Sequence, residues 1–437
     1  MFSHMRIGVR REDKNEWERR VPLTPDHVRS LVQQGLQVSV QPSTIRIFKD
    51  DEYVTAGADM QEDLSTCDAV FAVKEIPADF FRDEGTYMFF SHTFKGQPYN
   101  MPMLRTLIER RATLIDYEKV ADDQNRRLIF FGSYAGTAGM FETLYTLGKR
   151  LEWEGLPNAF ASLKRPLDYS GLDEAKAALK VIGERIASEG LPESLTPLVV
   201  GFSGYGNVSR GAQEILSLLP CETIPAHGLV DWMKSGKASN RKVYKVVFYE
   251  QDMARPRNGN AAFDLQQYYR EPEKYESGFE RFLPCLTVLV NCIYWDTRYP
   301  RLVTKDWVRQ AWSSRDKPRL RVIGDISCDI EGSVECTVHS TEPGDPIYTY
   351  LASDGRTVSG WEGSGPVVMA VDTLPSELPR EASNSFGDML ISFVPRIAGA
   401  DFAKPFEDLD LPNAIKRAVI VHRGEFTPDY LYMSKFI

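Results

Sequence analysis

Along the first third of the chain, short apolar runs of strand length alternate with longer stretches whose apolar positions recur at helical spacing. Residues 6–10 read as a strand, and Thr24-Pro25-Asp26 reads as a helix start, with a capping hydroxyl, a first-turn proline and a first-turn acid. The helix is expected to run to about Gln34 and stop at Gly35. Alternation predicts a strand over 36–40. Three apolar runs follow: 68–73 leads into Lys74, 86–90 into Ser91-His92, and 113–117 into Glu118. Residues 155–195, rich in Ala, Glu and Lys, predict helix, and 198–203, 285–290 and 320–323 predict buried strands. Residues 380–400 return to a helical pattern with Phe386, Met389, Leu390 and Phe393 on one side, ahead of an apolar segment at 418–421. This alternation predicts an α/β fold with largely parallel sheets. Ligands of such sheets bind beyond the carboxyl ends of the strands, which makes Lys74, His92 and Glu118 candidates by position.

The 198–203 run is followed by Gly204-Tyr205-Gly206-Asn207-Val208-Ser209-Arg210-Gly211, which opens a helix. A dinucleotide fold needs glycines at this place: Gly204 for the tight turn and Gly206 for close approach of backbone to a pyrophosphate, which then meets free N–H groups at the helix start. Ser209 stands where a third glycine is usual, and is small enough for close packing. The plain alternative is an ordinary glycine turn. The next strand is expected over 221–225. Its end, near Ala226-His227, lacks the acid that would hold a ribose 2′-hydroxyl, and Glu222 lies at its start. That favours NADP(H) over NAD(H).

Bulk properties narrow the classes. A chain of 437 residues predicts two or three domains, and 43% hydrophobic content suffices for real cores. No apolar run reaches the roughly 18 residues of a membrane span. The start of the chain has no apolar signal region, and Glu12, Asp13 and Glu16 argue against a transit peptide, so a cytoplasmic location is expected. A net charge of −9 with no long basic block gives nucleic-acid binding no support. The six cysteines are scattered without a CxxC pair, which predicts free thiols in a reducing compartment and no metal site.

Lys74, at the end of an apolar strand, can be partly desolvated and so brought toward a working acid–base range, with Glu75 and Glu118 pushing the other way. Histidine is the residue type whose charge changes near neutrality without help, which makes His92 the second candidate. Arg20, in the pair Arg19-Arg20, and Arg127, in Arg126-Arg127, suit substrate carboxylates because the guanidinium fork binds them bidentately. On local evidence alone a solvated surface lysine, a satisfied polar histidine and surface arginines are the favoured readings.

The run from Arg6 through Trp17-Glu18-Arg19-Arg20 to Pro25 resembles the start of the alanine dehydrogenase, pyridine nucleotide transhydrogenase and saccharopine dehydrogenase superfamily. Its Trp-Glu-Arg-Arg form is similar to the lysine–2-oxoglutarate reductase branch, the N-terminal half of bifunctional aminoadipic semialdehyde synthases. Further motifs agree in order along nearly the whole chain. Among them are Phe89-Phe90-Ser91-His92-Thr93, the 114–119 run, the glycine loop, Gly324-Asp325-Ile326-Ser327 and Phe386-Gly387-Asp388-Met389-Leu390.

The resemblance implies two Rossmann-like domains with parallel sheets and an inter-domain cleft. Residues 1–135 plus 385–437 would form a discontinuous substrate and catalytic domain, and 136–384 the dinucleotide domain, with closure bringing the nicotinamide to Lys74 and His92. It implies condensation of L-lysine with 2-oxoglutarate and reduction of the imine to saccharopine by NAD(P)H, or the reverse. Carried over by position, Lys74 and His92 form the acid–base pair, Glu75 and Glu118 tune it, Arg20 and Arg127 hold carboxylates, and Gly204 to Ser209 with Asp325 meet the cofactor. Two departures stand out. Pro225 replaces an acid in the strand after the glycine loop. The chain also stops at Ile437, so a stand-alone reductase is expected, with a separate glutamate-forming saccharopine dehydrogenase acting next and a homo-oligomer as a further expectation. The rival readings are another amino-acid or opine-type dehydrogenase of the superfamily and a non-catalytic nucleotide-binding regulator.

Overall fold

The computed structural model describes residues 5–259, 261–314 and 318–437; the Met1-Phe2-Ser3-His4 start, on which the reading of the N-terminus drew, lies outside them. The chain divides into two compact units, Met1–Phe131 with Pro379–Ile437, and Gly132–Leu378. The expected boundaries at 135/136 and 384/385 fall inside the helices Gly132–Trp153 and Pro379–Leu390, each of which begins where the chain passes between units.

The first unit is built on an eight-stranded sheet. Its order is Glu425–Phe426, Val419–His422, Thr113–Asp116, Thr86–Phe89, Ala69–Phe71, Arg6–Val9, Gln37–Val40, Asp59–Met60. The six strands from the N-terminal third are mutually parallel, and the two from the C-terminal segment add antiparallel at one edge. From Arg6–Val9 the chain winds first to Gln37–Val40 on one side, then returns to Ala69–Phe71 on the other. The carboxyl ends of these two neighbours are therefore a topological switch point, where side chains following Val9 and Phe71 meet.

The second unit carries its own eight-stranded sheet: Thr357–Ser359, Ile347–Tyr350, Val367–Met369, Val322–Asp325, Val288–Asn291, Leu198–Ser203, Val243–Phe248, Cys221–Thr223. All but the first two pair in parallel. Leu198, Val200 and Phe202 pack in one core and Val199 in another, because successive side chains point to opposite faces of a sheet covered on both sides. That is why this strand reads as an unbroken apolar run.

Several elements differ in extent from their sequence expectation. The strand expected at 285–290 is Val288–Asn291, preceded by a 3-10 turn at Leu283–Cys285 that contains Pro284, which has no N–H for a ladder. The strand expected at 320–323 lies at Val322–Asp325, in register with Val288–Asn291. Residues 155–195 hold one α-helix, Leu172–Glu189, flanked by 3-10 turns at Pro-containing segments. The 380–400 helix breaks after Leu390 and restarts at Val394–Ala398, with Pro395 in its first turn. Phe386 and Leu390 are fully buried, whereas Met389 and Phe393 sit at the core margin. Among the described residues no helix is long and apolar enough to cross a membrane.

Candidate functional site

In the first unit, four adjacent parallel strands end side by side, and the residues just beyond them carry most of its buried charge. The segment after Arg6–Val9 contributes Glu12, Lys14, Glu18 and Arg20. Lys74 and Glu75 follow Ala69–Phe71, Ser91 and His92 follow Thr86–Phe89, and Tyr117 and Glu118 follow Thr113–Asp116. Glu12 is buried and accepts hydrogen bonds from the backbone N–H of Val73 (2.7 Å) and of Lys74 (2.9 Å), which ties the switch-point segments together. Burial, reinforced by Glu18, pushes the Glu12 carboxyl up to about 7.

Lys74 is half-buried, and its ammonium is held below the ordinary amine range, first by desolvation and then by Arg20 and Lys14; Glu18 and Glu75 pull the other way. Burial works against ionisation of Glu75, but a hydrogen bond with His92 and another from Lys14 hold it down to about 2. The Glu75 carboxylate bridges the two: Oε1 lies 2.7 Å from His92 Nδ1 and Oε2 lies 2.9 Å from Lys14 Nζ. A carboxylate only accepts, so Nδ1 carries the hydrogen and Nε2 is the nitrogen left to exchange a proton. His92 sits at φ 51°, a left-handed conformation rare outside glycine and asparagine, which commits the backbone to presenting this ring.

Asp116 anchors the same layer. It accepts from the backbone N–H of Ser91 (3.0 Å) and of Glu118 (2.8 Å) and from the Ser91 hydroxyl. Glu118 Oε1 stands 4.0 Å from Arg127 Nη1 and 3.9 Å from Lys95 Nζ. Arg127 lies over the Phe90 ring, which stacks on His92. The sequence-derived candidates Lys74, Glu75, His92, Glu118 and Arg127 are thus gathered at one edge. Arg20 is nearby but differently employed. It is buried, its Nε and Nη2 are held by both oxygens of buried Glu18 at 2.7 and 2.5 Å, and its guanidinium packs 4.3 Å over Phe131. A guanidinium so engaged orders the base of the site.

The second unit presents a contrasting set. Gly204 turns at φ 84°, a conformation only glycine adopts without strain, and its N–H donates to the Phe248 carbonyl at 3.0 Å. Gly206 is the N-cap of the helix Asn207–Leu216 and no side chain caps it, so the first-turn N–H groups face outward. Nothing lies within 4 Å of where a Gly206 Cβ would be. Ser209 is buried, but close helix packing is provided elsewhere. A Cβ on Gly211 would stand 2.2 Å from the Ser133 carbonyl oxygen, and one on Gly136 would stand 1.9 Å from that of Val208. A pocket of about 310 Å³ opens beside the glycine turn, lined by Gly204, Tyr205 and Gly206 and by Glu250, Tyr268, Tyr269 and Trp295 among others. The glycine turn, uncapped helix start and aromatic pocket fit a dinucleotide: N–H donors for a pyrophosphate and ring surfaces for a base.

Asp325 does not line this pocket. It is buried, with its carboxyl pushed up to about 6 by desolvation, and it accepts from Asn291 Nδ2 (2.8 Å), the Cys328 N–H (3.2 Å) and the Thr337 hydroxyl. Asn291 in turn accepts from the Ser203 hydroxyl (2.7 Å), so this network braces the strand end from which the glycine turn departs. The lean toward NADP(H) rested on the strand expected at 221–225 lying beside the glycine-loop strand. That strand spans only Cys221–Thr223 and sits at the sheet edge. Leu198–Ser203 lies between Val288–Asn291 and Val243–Phe248; the strand on the side of Cys221–Thr223 is Val243–Phe248, and an acid, Glu250, follows it.

Sequence reasoning passed over Glu12, Glu18, Asp116 and Glu250. The first two lie in the dense charge run after the first strand, whose alternation of acids and bases was the signal for internal pairing. Glu250 carried no local signal, since its place depends on which strand is the sheet neighbour.

Residues 8–138 match the alanine dehydrogenase/PNT N-terminal domain. Over 98% of its length the chain is 39% identical to the alpha-aminoadipic semialdehyde synthase of Arabidopsis thaliana and 36% identical to the mitochondrial alpha-aminoadipic semialdehyde synthase of Mus musculus. It spans 41% and 47% of those proteins. A saccharopine dehydrogenase [NAD(+), L-lysine-forming] of Yarrowia lipolytica is 27% identical over 92% of this chain and 95% of its own. A solved L-alanine dehydrogenase superposes with a TM-score of 0.63 at 19% identity, covering 99% of this chain and all of the other, and shares the fold. Residues 8–138 thus carry the alanine dehydrogenase/PNT N-terminal domain, and the chain as a whole is similar to aminoadipic semialdehyde synthases and to lysine-forming saccharopine dehydrogenases.

Proposed function

We propose that the chain is a nicotinamide-dependent reductase that joins the ε-amine of L-lysine to the ketone carbon of 2-oxoglutarate, giving saccharopine, or that it runs the reverse. The observation that carries the reading is the Lys14–Glu75–His92 bridge beside Lys74 at a topological switch point. Attack of a neutral amine on the ketone needs a group to take the ammonium proton, and loss of water from the carbinolamine needs a group to give one. Lys74, with its ammonium destabilised by burial and by neighbouring cations, is suited to the first transfer. His92, oriented through Nδ1 by Glu75, offers Nε2 for the second. Arg127, partly exposed at the rim, is the cation suited to a substrate carboxylate, while Arg20 acts by fixing Glu18 near Lys74. A bound nicotinamide supplies the hydride that reduces the imine carbon. The residues suited to hold it are Gly204, Tyr205, Gly206, Asn207 and Val208, with Ser209 and Asp325 supporting the turn from beneath. The glycine turn meets the pyrophosphate common to both dinucleotides, so NAD(H) and NADP(H) separate at the adenosine ribose. Six unpaired cysteines support a reducing compartment such as the cytoplasm.

The test is oxidation of NADH and of NADPH by the purified chain with lysine plus 2-oxoglutarate, with pyruvate and lysine-free controls. Turnover that requires both substrates is the expected result. Turnover with pyruvate and ammonia, and none with the lysine pair, would discard the assignment.

A further inference from the structure

His92 holds a left-handed backbone, and a residue with a side chain keeps that conformation only where its flanks over-determine it. The upstream flank is fixed by Ser91, whose N–H and hydroxyl both donate to buried Asp116. The downstream flank is a tight turn, Thr93-Phe94-Lys95-Gly96, closed by the Gly96 N–H donating to the Thr93 carbonyl at 2.8 Å. What covers this turn comes from the C-terminal segment, the 3-10 helix Pro428–Phe436. Three residues per turn place Tyr430, Met433 and Phe436 on one face. Tyr430 and Met433 are buried in the core of the first unit, and half-buried Phe436 packs against it. The Phe436 ring rests on Gly96, which lies at φ 70°; a Cβ there would stand 2.5 Å from the ring. The Tyr432 hydroxyl donates to the Phe94 carbonyl at 2.7 Å. That carbonyl belongs to the central peptide of the turn, whose rotation would change the turn type. Lys119 Nζ lies 4.7 Å from the Phe94 ring centroid and 5.8 Å from that of Tyr430, so the residue next to Glu118 joins the same two segments.

Resting on the reading of His92 as a proton-transfer group, we propose that the Pro428–Phe436 segment is a brace for the His92 turn, with Phe436 and Tyr432 as positioning residues of the reaction. Neither is placed at the reacting atoms. Phe436 holds the turn from above Gly96, and Tyr432 fixes the plane of its central peptide. Between them they set the direction of the His92 ring against Glu75, and they hold the turn that carries Lys95 beside Glu118.

A double-mutant cycle on the full chain, with lysine plus 2-oxoglutarate as substrates, tests it. Phe436→Ala should lower kcat about tenfold while dinucleotide affinity stays at the wild-type value. Phe436→Tyr keeps the ring and should retain the wild-type kcat. Tyr432→Phe keeps its ring but loses the donor, and should lower kcat about threefold. In a His92→Gln background, either loss should shrink to less than about twofold, because the residue being positioned is gone. If Phe436→Ala does not fold, Tyr432→Phe carries the same cycle. The same factor lost in both backgrounds, or wild-type kcat in both Phe436→Ala and Tyr432→Phe, overturns the inference. A second readout needs no turnover. The ring-nitrogen NMR resonance of His92, identified by its loss in His92→Gln, should move in Phe436→Ala and in Tyr432→Phe. An unmoved resonance overturns the brace. A resonance that moves in a chain inactive on lysine plus 2-oxoglutarate keeps the brace and discards the proposed reaction.

Discussion

The two units share a plan, a twisted parallel sheet with chemistry beyond the strand ends, yet fill those ends with opposite materials. In the first unit the strand ends carry charge: buried Glu12, Glu18 with Arg20, and Asp116, and beside them half-buried Glu75 with His92 and the exposed Lys14. In the second they carry glycines, tyrosines and a tryptophan, with Glu250 as the acid in the lining. On the proposed function the first site moves protons, which requires groups whose charge states are finely set by neighbours, and the site is crowded and mutually constrained. Holding a long anionic ligand requires backbone N–H groups and room, so the second site leaves space where side chains would otherwise be. The first should therefore be sensitive to removing atoms and the second to adding them.

The largest expected effect on that contrast is Lys74→Met. Turnover should fall about 10²–10⁴-fold while dinucleotide affinity stays at the wild-type value, read by steady-state rates beside binding titrations. Turnover within a few-fold of wild type would remove Lys74 from the proton-transfer role. Next comes stability. Glu18→Ala strands buried Arg20 and should cost about 3–5 kcal/mol in denaturant unfolding, against an expected ~1–3 kcal/mol for Gly136→Ala, which drives a carbon into the Val208 carbonyl. If Glu18→Ala proves the milder of the two, the crowded site is not organised by its ion pair. Third, Gly206→Ala meets no atom in the protein, so its melting temperature should stay within a degree or two of wild type. Dinucleotide binding should nonetheless weaken by about tenfold, since the added methyl occupies the approach to the helix start.

The smallest effect concerns pH. Glu12 is raised from 4.5 to about 7, so the folded state holds its proton more tightly than the unfolded chain does. Its stabilising contribution is present in full below about pH 4.5 and is lost as pH rises through about 7. Thermal melts should show a decline in stability over that window that Glu12→Gln flattens; an unchanged slope in the variant would mean another group titrates there.

Much of this was legible in the sequence where one residue type has one physical use. Apolar runs ending in Lys74, His92 and Glu118 marked strand ends because a doubly covered parallel strand has no polar face to disguise it. Gly204 announced the turn because only glycine takes its φ without strain, and Gly206 marked the place where a ligand would need room. What stayed hidden depended on pairing between distant segments. Arg20 looked like a free carboxylate ligand because nothing local shows that Glu18, two residues earlier, folds back onto it. Glu250 was invisible because the order of strands in a sheet is set by packing, and the short Cys221–Thr223 strand intervenes in the chain without lying beside the turn.

The edge strand Val419–His422 lies against Thr113–Asp116, and Thr113 contacts His422 from 309 positions away. On a ribosome, the middle unit is complete before that partner has been made, while Asp116, the anchor of Ser91 and Glu118, waits with one flank of its sheet exposed. The pocket beside the glycine turn can therefore form during synthesis, but the charged edge of the first unit is finished last. On the proposed function, a nascent chain would capture its dinucleotide before it could act on a substrate.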